Sequence, residues 1–397
     1  MKLWRSLLVF FLLTTFVLTS CDDDDDTEPE QDQEQEQEQL EDDELSSDID
    51  EDKVLSSDVI YTVTDEIEVD AQLTIEPGTE IYFEQGTSLL FRGSGALVAD
   101  GTEEEPILFT GTEDVSGWWD GIQFRSTENP LNSIDHSVIE YADNFGVRVG
   151  GQISDASTSV TNTTIREVEG HGIYVRRGSE LTDFSSNTIT SCGRYPITFW
   201  DDPTKAAIID ENSDLTGNEN DVVRINGGSR NVENDITFVN PGVPYRVDDA
   251  DIDVRGLLTI TEDVTMEFGA GSSIQIRGSG GLKVEGTEDE PVLFTAVEPT
   301  PGFWTGIHYV SSDRVDNSID HAIVEYAGSE PDITSWNRST GGNITLGGAI
   351  SSGAVTISNS EIRHSSNYGV YIYDGDLDDE QNVEYNNNES GATNLDD

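Results

Sequence analysis

The chain has 397 residues, with 80 Asp and Glu against 20 Lys and Arg, a formal charge of −60, and two cysteines. A surface this acidic repels nucleic acid, anionic lipid and polyanionic sugar unless cations bridge them, so no nucleic-acid partner is expected. Two cysteines, one of them close to the N-terminus at Cys21, offer no disulfide framework.

The first segment reads as an address. Lys2 and Arg5 precede an apolar stretch from Leu7 to Leu18, too short to span a bilayer as a stable helix, and it closes on Leu18-Thr-Ser-Cys21. This ending resembles the lipobox of bacterial lipoproteins. The resemblance implies a signal peptide over 1–20, cleavage before Cys21, and a lipid on that thiol as the membrane anchor. Residues 21–53 then read as an extended tether, with 19 acidic residues against one lysine in 22–53. Acids directly after the lipidated cysteine resemble the surface-export signal of Bacteroidota lipoproteins, which implies an outer-membrane protein facing outward. The excess of acid over lysine resembles halophilic or marine secreted proteins, where salt screens the repulsion.

From residue 54 the chain is written twice. NSIDHSVIEYA at 132–142 returns as NSIDHAIVEYA at 317–327, so that Asn317 stands for Asn132. The same offset superposes Gly101–Thr110 on Gly286–Thr295, and WDGIQF (Trp119–Phe124) on WTGIHY (Trp304–Tyr309). Two tandem homologous units follow, 54–242 and 243–397, the second ending in an acidic, Asn-rich tail from Asp374 that is expected to fray as a weak cap over the last rung's strand edges. Whether Asn240-Pro-Gly-Val-Pro244 kinks the stack between them stays open.

A finer period lies inside each unit. Leu73/Ile75, Ile81/Phe83, Leu89/Phe91 and Leu97/Ala99 are apolar–x–apolar pairs at a regular spacing, each a short strand with one face inward. Three strands make a turn of about 24 residues, so Leu97 falls over Leu73, and Gly, Asn, Asp and Pro supply the bends. No helical apolar stripe appears after residue 53. The chain is therefore expected to be all-β, and its three-faced coil resembles the right-handed parallel β-helix of the pectate-lyase-like superfamily. The W-x-G-I-x-F motif also resembles β-helix repeat lipoproteins of Bacteroidota.

Several local patterns invite chemistry. Ile134-Asp-His136 resembles part of the Trp-Ile-Asp-His motif of pectate lyases, but Ser133 replaces the Trp and the whole pattern recurs at Ile319-Asp-His321; an Asp–His at a coil corner satisfies backbone donors equally well. Arg194-Tyr-Pro196 resembles the Arg-x-Pro of the same lyases, with Phe199 where their second Arg stands. Gly170-His171-Gly172 resembles the motif of polygalacturonases, for which Asp201-Asp202 would have to supply paired carboxylates, and Arg224-Ile-Asn226 half matches their next motif. An enzyme reading therefore rests on Arg194, Arg224, His171 and Asp202. No cofactor is called for, with calcium on Glu140, Asp143, Asp201 and Asp202 as the one alternative. Cys192, left single once Cys21 is lipidated, takes a small apolar corner position.

Residues that point outward between two buried ones give the more physical clue. Arg148, Tyr174, Thr198 and Arg224 are expected to stack on one face, with Tyr371 in the corresponding place of the second unit, and Arg176, in the same arginine-rich window of the sequence, is a further binding candidate. A ladder of Arg and Tyr suits a sugar polymer, because rings stack and guanidinium groups grip hydroxyls or carboxylates. The competing reading is charge balance, as in a Glu140–Arg166 ion pair on adjacent rungs, worth well under ~1 kcal/mol if exposed. Trp336, in a stretch only the second unit carries, joins the binding candidates. The expectation is a non-catalytic protein that binds or displays polysaccharide or an envelope component. A polysaccharide lyase or glycoside hydrolase, and a structural rod or adhesin, are the alternatives.

Overall fold

A computed structural model describes residues 41–227, 229–329, 341–348 and 351–395. Cys21, the signal peptide, most of the tether and Trp336 lie outside them. Every named strand pair is parallel, and one sheet of 13 strands runs from Glu66–Val69 at one end to Glu384–Asn386 at the other. Its strands recur once per turn, giving a parallel β-solenoid of about 13 turns, roughly 60 Å long at about 4.8 Å per rung. No helix among the described residues is long and apolar enough to cross a membrane.

The pairing is the one the sequence period predicts. Leu73 lies beside Leu97, Ile165 beside Ile189 and Ile173 beside Ile197. Rung length nonetheless varies, from the short step between Glu41 and Val59 to the long one between Ile319 and Ile357, because loops are inserted at the corners. Inward side chains form one continuous apolar core from Leu45 to Ile372. Asn side chains plug its corners: Asn187 accepts from the Thr163 amide at 3.1 Å and donates to the Val160 carbonyl at 2.9 Å. Buried amide groups need such partners.

Both chain-end expectations need correction. Residues 41–53 do not all belong to a tether: Glu41–Leu45 pairs with Val59–Val63, and Leu45 and Ile49 enter the core. The acidic tail does not simply fray either, since Gly375–Gln381, Glu384–Asn386 and Gly391–Thr393 complete another rung. Outward positions carry the charge, while one inward apolar residue per strand suffices to seat it.

Across the duplication the long sheet is unbroken, so the Asn240–Pro244 segment does not end the coil. The other two faces are interrupted. After Ile197–Trp200, a 3-10 helix over Pro203–Ile208 takes the place of a strand, and the next face keeps only the bridge between Thr188 and Asp214. Each face then resumes in a new sheet. The second copy re-enters the coil one face further round. Ile122–Ser126 belongs to the long sheet, but its copy Gly306–Tyr309 belongs to the sheet that follows it in the chain. Ser137–Glu140 leads into the long sheet, whereas its copy Ala322–Glu325 lies within it.

The repeated NSIDH…EYA segment has a backbone explanation. His136 and Tyr141, with φ of 43° and 64°, are left-handed corner residues on either side of the strand Ser137–Glu140. One rung on, Asn162 and Glu167 do the same, followed by Ser186 and Ser191. His321/Tyr326, Asn359/His364 and Asn382/Asn387 repeat it in the second copy. Non-glycine residues enter this region rarely, and here the two corners of every pair keep the same spacing.

Candidate functional site

Gln123, Arg148, Tyr174, Thr198, Arg224 and Arg246 are successive register partners on the long sheet, a ladder in the register the sequence predicts, but Gln123 and Thr198 are buried and only Arg148, Tyr174, Arg224 and Arg246 are partly exposed. Beside it, on the edge leading into each strand, Phe145, His171 and Tyr195 stack, with ring centroids 6.2 Å and 5.6 Å apart. Tyr174 closes on this stack, 5.0 Å from Phe145 and 5.3 Å from His171. The Arg148 guanidinium lies 5.6 Å from the Phe145 ring and that of Arg224 lies 5.0 Å from Tyr195, both within cation–π range. On the other edge Trp200 follows Arg176 by one rung and is 40% exposed.

Charge separates this strip from the rest of the molecule. From Arg92 onward, the arginines with described side chains are ion-paired, for example Arg166–Glu140, Arg177–Asp201, Arg224–Asp248 and Arg363–Glu325, with four exceptions. Arg125, Arg148, Arg176 and Arg194 have no described carboxylate partner, and they sit on neighbouring rungs of this one face. Arg125 donates to the Gln123 side chain at 2.9 Å and 3.1 Å, and Arg148 donates to the Gly150 carbonyl at 3.1 Å. Burial, then the positive charges of Arg125 and Arg176, pull the Arg148 pKa below its ordinary value. Burial raises the Tyr174 phenol, while Arg176, Arg148 and Arg224 oppose the rise.

His171 is buried, and its Nδ1 lies 2.9 Å from Thr198 Oγ1. Burial first, then Arg194 and Arg224, lowers its pKa to about 4, so the imidazole is neutral near pH 7. The structure thus brings Arg194, Arg224 and His171 together. Asp202 does not join them. It caps the 3-10 helix at the far end of the strand, accepting from the Thr204 amide at 3.1 Å.

The other candidates are structural in their contacts. Asp135 accepts from Thr161, Asn162 and His136 at 2.6, 2.8 and 2.8 Å, and Asp320 from Ser358 and Asn359 at 2.7 and 2.9 Å. Glu140 lies beside Arg166 on the next rung and pairs with it as expected, but it is only 8% exposed: Thr110 and Arg166 hold its two oxygens at 2.9 and 2.8 Å. Asp143 accepts from Asn144, and Asp201 pairs with Arg177 at 3.0 Å. Among the described residues no three His, Cys, Asp or Glu converge as a metal site. Cys192 is buried, and desolvation pushes its thiol up to about 12.

A groove of about 370 Å³ lies elsewhere, at the second copy's corner, lined by His321, Asn359, Glu361 and Glu384 among others. His321 Nδ1 is 3.2 Å from Asp320 Oδ2 but lacks hydrogen-bond geometry. Glu361 is engaged by Arg363 and Asn386 at 2.7 and 2.9 Å.

Sequence reasoning missed Trp200, Arg125, Phe145 and the ring of Tyr195. Trp200 was findable, because it follows Arg176 by one full turn of the sequence period; it was hidden by lying one place beyond the apolar–x–apolar strand.

Fold and strip together define the class: a parallel β-solenoid with one lateral face of arginine and aromatic side chains. Compared with family models, curated proteins and solved structures, the chain finds no match.

Proposed function

We propose that this chain is a lipid-anchored envelope protein, a right-handed β-helix of the pectate-lyase-like kind similar to β-helix lipoproteins of Bacteroidota, that binds and displays polysaccharide along its Arg–Tyr face. The observation that carries the reading is the set of four arginines left without a described carboxylate in a chain of net charge −60. Charge balancing would have paired them first, since 80 acidic residues are available. An elongated, ring-lined strip suits a polymer lying along the rod, with guanidinium groups gripping hydroxyls and carboxylates. Anchoring through Cys21 and the acidic stretch after it would hold that strip off the outer membrane, facing outward. On this reading calcium enters only as a bridge to an acidic polymer.

A glycan array and a pull-down on alginate and pectate, with and without calcium, test the reading. Retention that falls in the Arg148→Gln/Arg176→Gln double variant is expected; no retention of the wild type on any glycan defeats it. Cys21→Ser is expected to move the protein from the membrane to the soluble fraction.

One observation favours an enzyme as the second reading: a neutral imidazole, His171, beside Arg194 and Arg224. Such a group accepts a proton while a cation steadies a carboxylate, as a lyase requires. Release of unsaturated ends from pectate or alginate, abolished by Arg194→Ala or His171→Ala, would establish it in place of display.

A further inference from the structure

The strip of the first copy is a small cationic island with carboxylates at its margin. Arg125, Arg148, Arg176 and Arg194 belong to successive rungs, so the island is about 14 Å long. Arg125, Arg148, Arg176, Tyr174 and Tyr195 are partly exposed, and Arg194 and Trp200 are exposed. The other cations here are cancelled, Arg224 by Asp248 at 2.9 Å and Arg177 by Asp201 at 3.0 Å. Beyond the island the carboxylates begin at once. Asp143 and Glu169 stand two residues before Phe145 and His171, and neither is buried. By the register, Asp120 lies one rung before Phe145 and Asp221 one rung after Tyr195, so acids close the ring column at both ends. Burial, then Asp143 and Glu66, raise the Asp120 pKa while Arg125 opposes them, so the two fields meet at this margin.

Which field an approaching polymer feels depends on how far charge reaches. In about 10 mM salt the screening length is about 30 Å, twice the length of the island, so a polyanion meets the summed field of a chain of net charge −60 and is repelled. In about 0.15 M salt the length is about 8 Å, shorter than the island, and a polymer lying on it feels chiefly the four guanidinium groups. In about 1 M salt it is about 3 Å, and even those contacts weaken.

We propose that the strip takes an anionic polysaccharide directly on Arg125, Arg148, Arg176 and Arg194, and that salt switches this binding on. Resting on the binding role proposed above, it adds the charge of the polymer and the condition that admits it. Ordinary polyanion sites weaken from the lowest salt upward, because the bound cations and anions release their counterions. Here the acidic surroundings reverse that slope until they are screened. The route needs no divalent cation, since guanidinium groups meet carboxylate or sulfate in charge-assisted hydrogen bonds of their own.

Retention of the purified full chain on alginate, dextran sulfate and hydroxyethyl cellulose beads tests it, from about 10 mM to about 1 M NaCl in the presence of EDTA. Circular dichroism at each salt marks the range over which the fold is intact. Retention on at least one anionic polymer should rise roughly tenfold by about 0.15 M and fall again by about 1 M. Alginate alone or dextran sulfate alone would identify the acid group. Arg148→Gln/Arg176→Gln, or Arg194→Gln if that pair does not fold, should abolish the maximum. Asp143→Asn/Glu169→Gln, which removes two charges at the margin, should move it to lower salt. Retention on the anionic polymers that falls steadily from the lowest salt overturns the proposal and leaves the binding reading standing. Retention on the cellulose alone does the same. A maximum unchanged by the arginine variants also overturns it, because the polymer is then held elsewhere. No retention on any polymer at any salt defeats both.

Discussion

The indole of Trp119 lies flat against Phe83, with centroids 3.8 Å apart and planes 12° from parallel, and its Nε1 donates to the Glu140 carbonyl at 2.8 Å. Trp304 repeats the arrangement with Phe268 at 4.1 Å and Glu325 at 2.8 Å. Both indoles are fully buried, so these tryptophans hold one rung to the next and are not sugar platforms. Trp304→Ala should cost about 3–5 kcal/mol, and Trp304→Phe less, chiefly the unsatisfied carbonyl. Denaturant midpoints compared at constant m-value check both.

Acid should loosen the fold through two histidines. His171 and His308 have pKa values lowered from 6.5 to about 4, in each case chiefly by burial. A group depressed in this way stabilises the fold while neutral. The contribution is complete above pH 6.5 and is lost as pH falls towards 4, on the order of 3 kcal/mol for each. His308→Gln, which installs the residue the first copy uses at Gln123, should flatten the Tm profile between pH 4 and 6.5. An unchanged slope would rule out His308 as a contributor.

The corner histidines should answer to backbone geometry. At φ of 43° and 47°, His136 and His321 occupy a region that asparagine tolerates and β-branched residues do not. His136→Asn should leave the melting temperature nearly unchanged, as Asn162 and Asn359 already take the same conformation. His136→Val should cost about 1–2 kcal/mol. If His136→Asn instead abolished ligand binding with the fold intact, the corner would have a role beyond the turn.

Glu325 is 6% exposed and is held by Thr295 at 2.8 Å and Arg363 at 2.6 Å. Removing the cation strands a mostly buried carboxylate, so Arg363→Ala should destabilise by roughly 3 kcal/mol, more than an exposed pair would allow. Adding Glu325→Gln should restore part of that loss. A double-mutant cycle measures the coupling.

The coil itself was legible because identical apolar–x–apolar pairs recur at the strand period. Leu73 over Leu97 and Tyr174 beside Thr198 follow from counting alone. What counting could not reach was set by pairing between distant segments. The constant offset between the copies says that Gly306–Tyr309 repeats Ile122–Ser126, yet says nothing of which sheet receives it. The first strand, Glu41–Leu45, was hidden by its run of acids; Asp42, Asp43 and Glu44 cost little there because they stay in solvent. In the site, the Arg–Tyr ladder was foreseen, but the flanking stack of Phe145, His171 and Tyr195 arises at corners where loop length varies. No fixed period marks it.

The stretch from Trp200 to Val223 has a mechanical meaning. Elsewhere three faces join each rung to the next through ladder hydrogen bonds lying along the rod. Here one face is spanned by a short 3-10 helix and another by a single bridge, Thr188 to Asp214, leaving the long sheet as the only full ladder among the described residues. A force pulling the rod's ends apart concentrates on the strand pair Ile197–Trp200 and Val223–Asn226. Tension should part the molecule at this joint, while the rungs on either side stay wound.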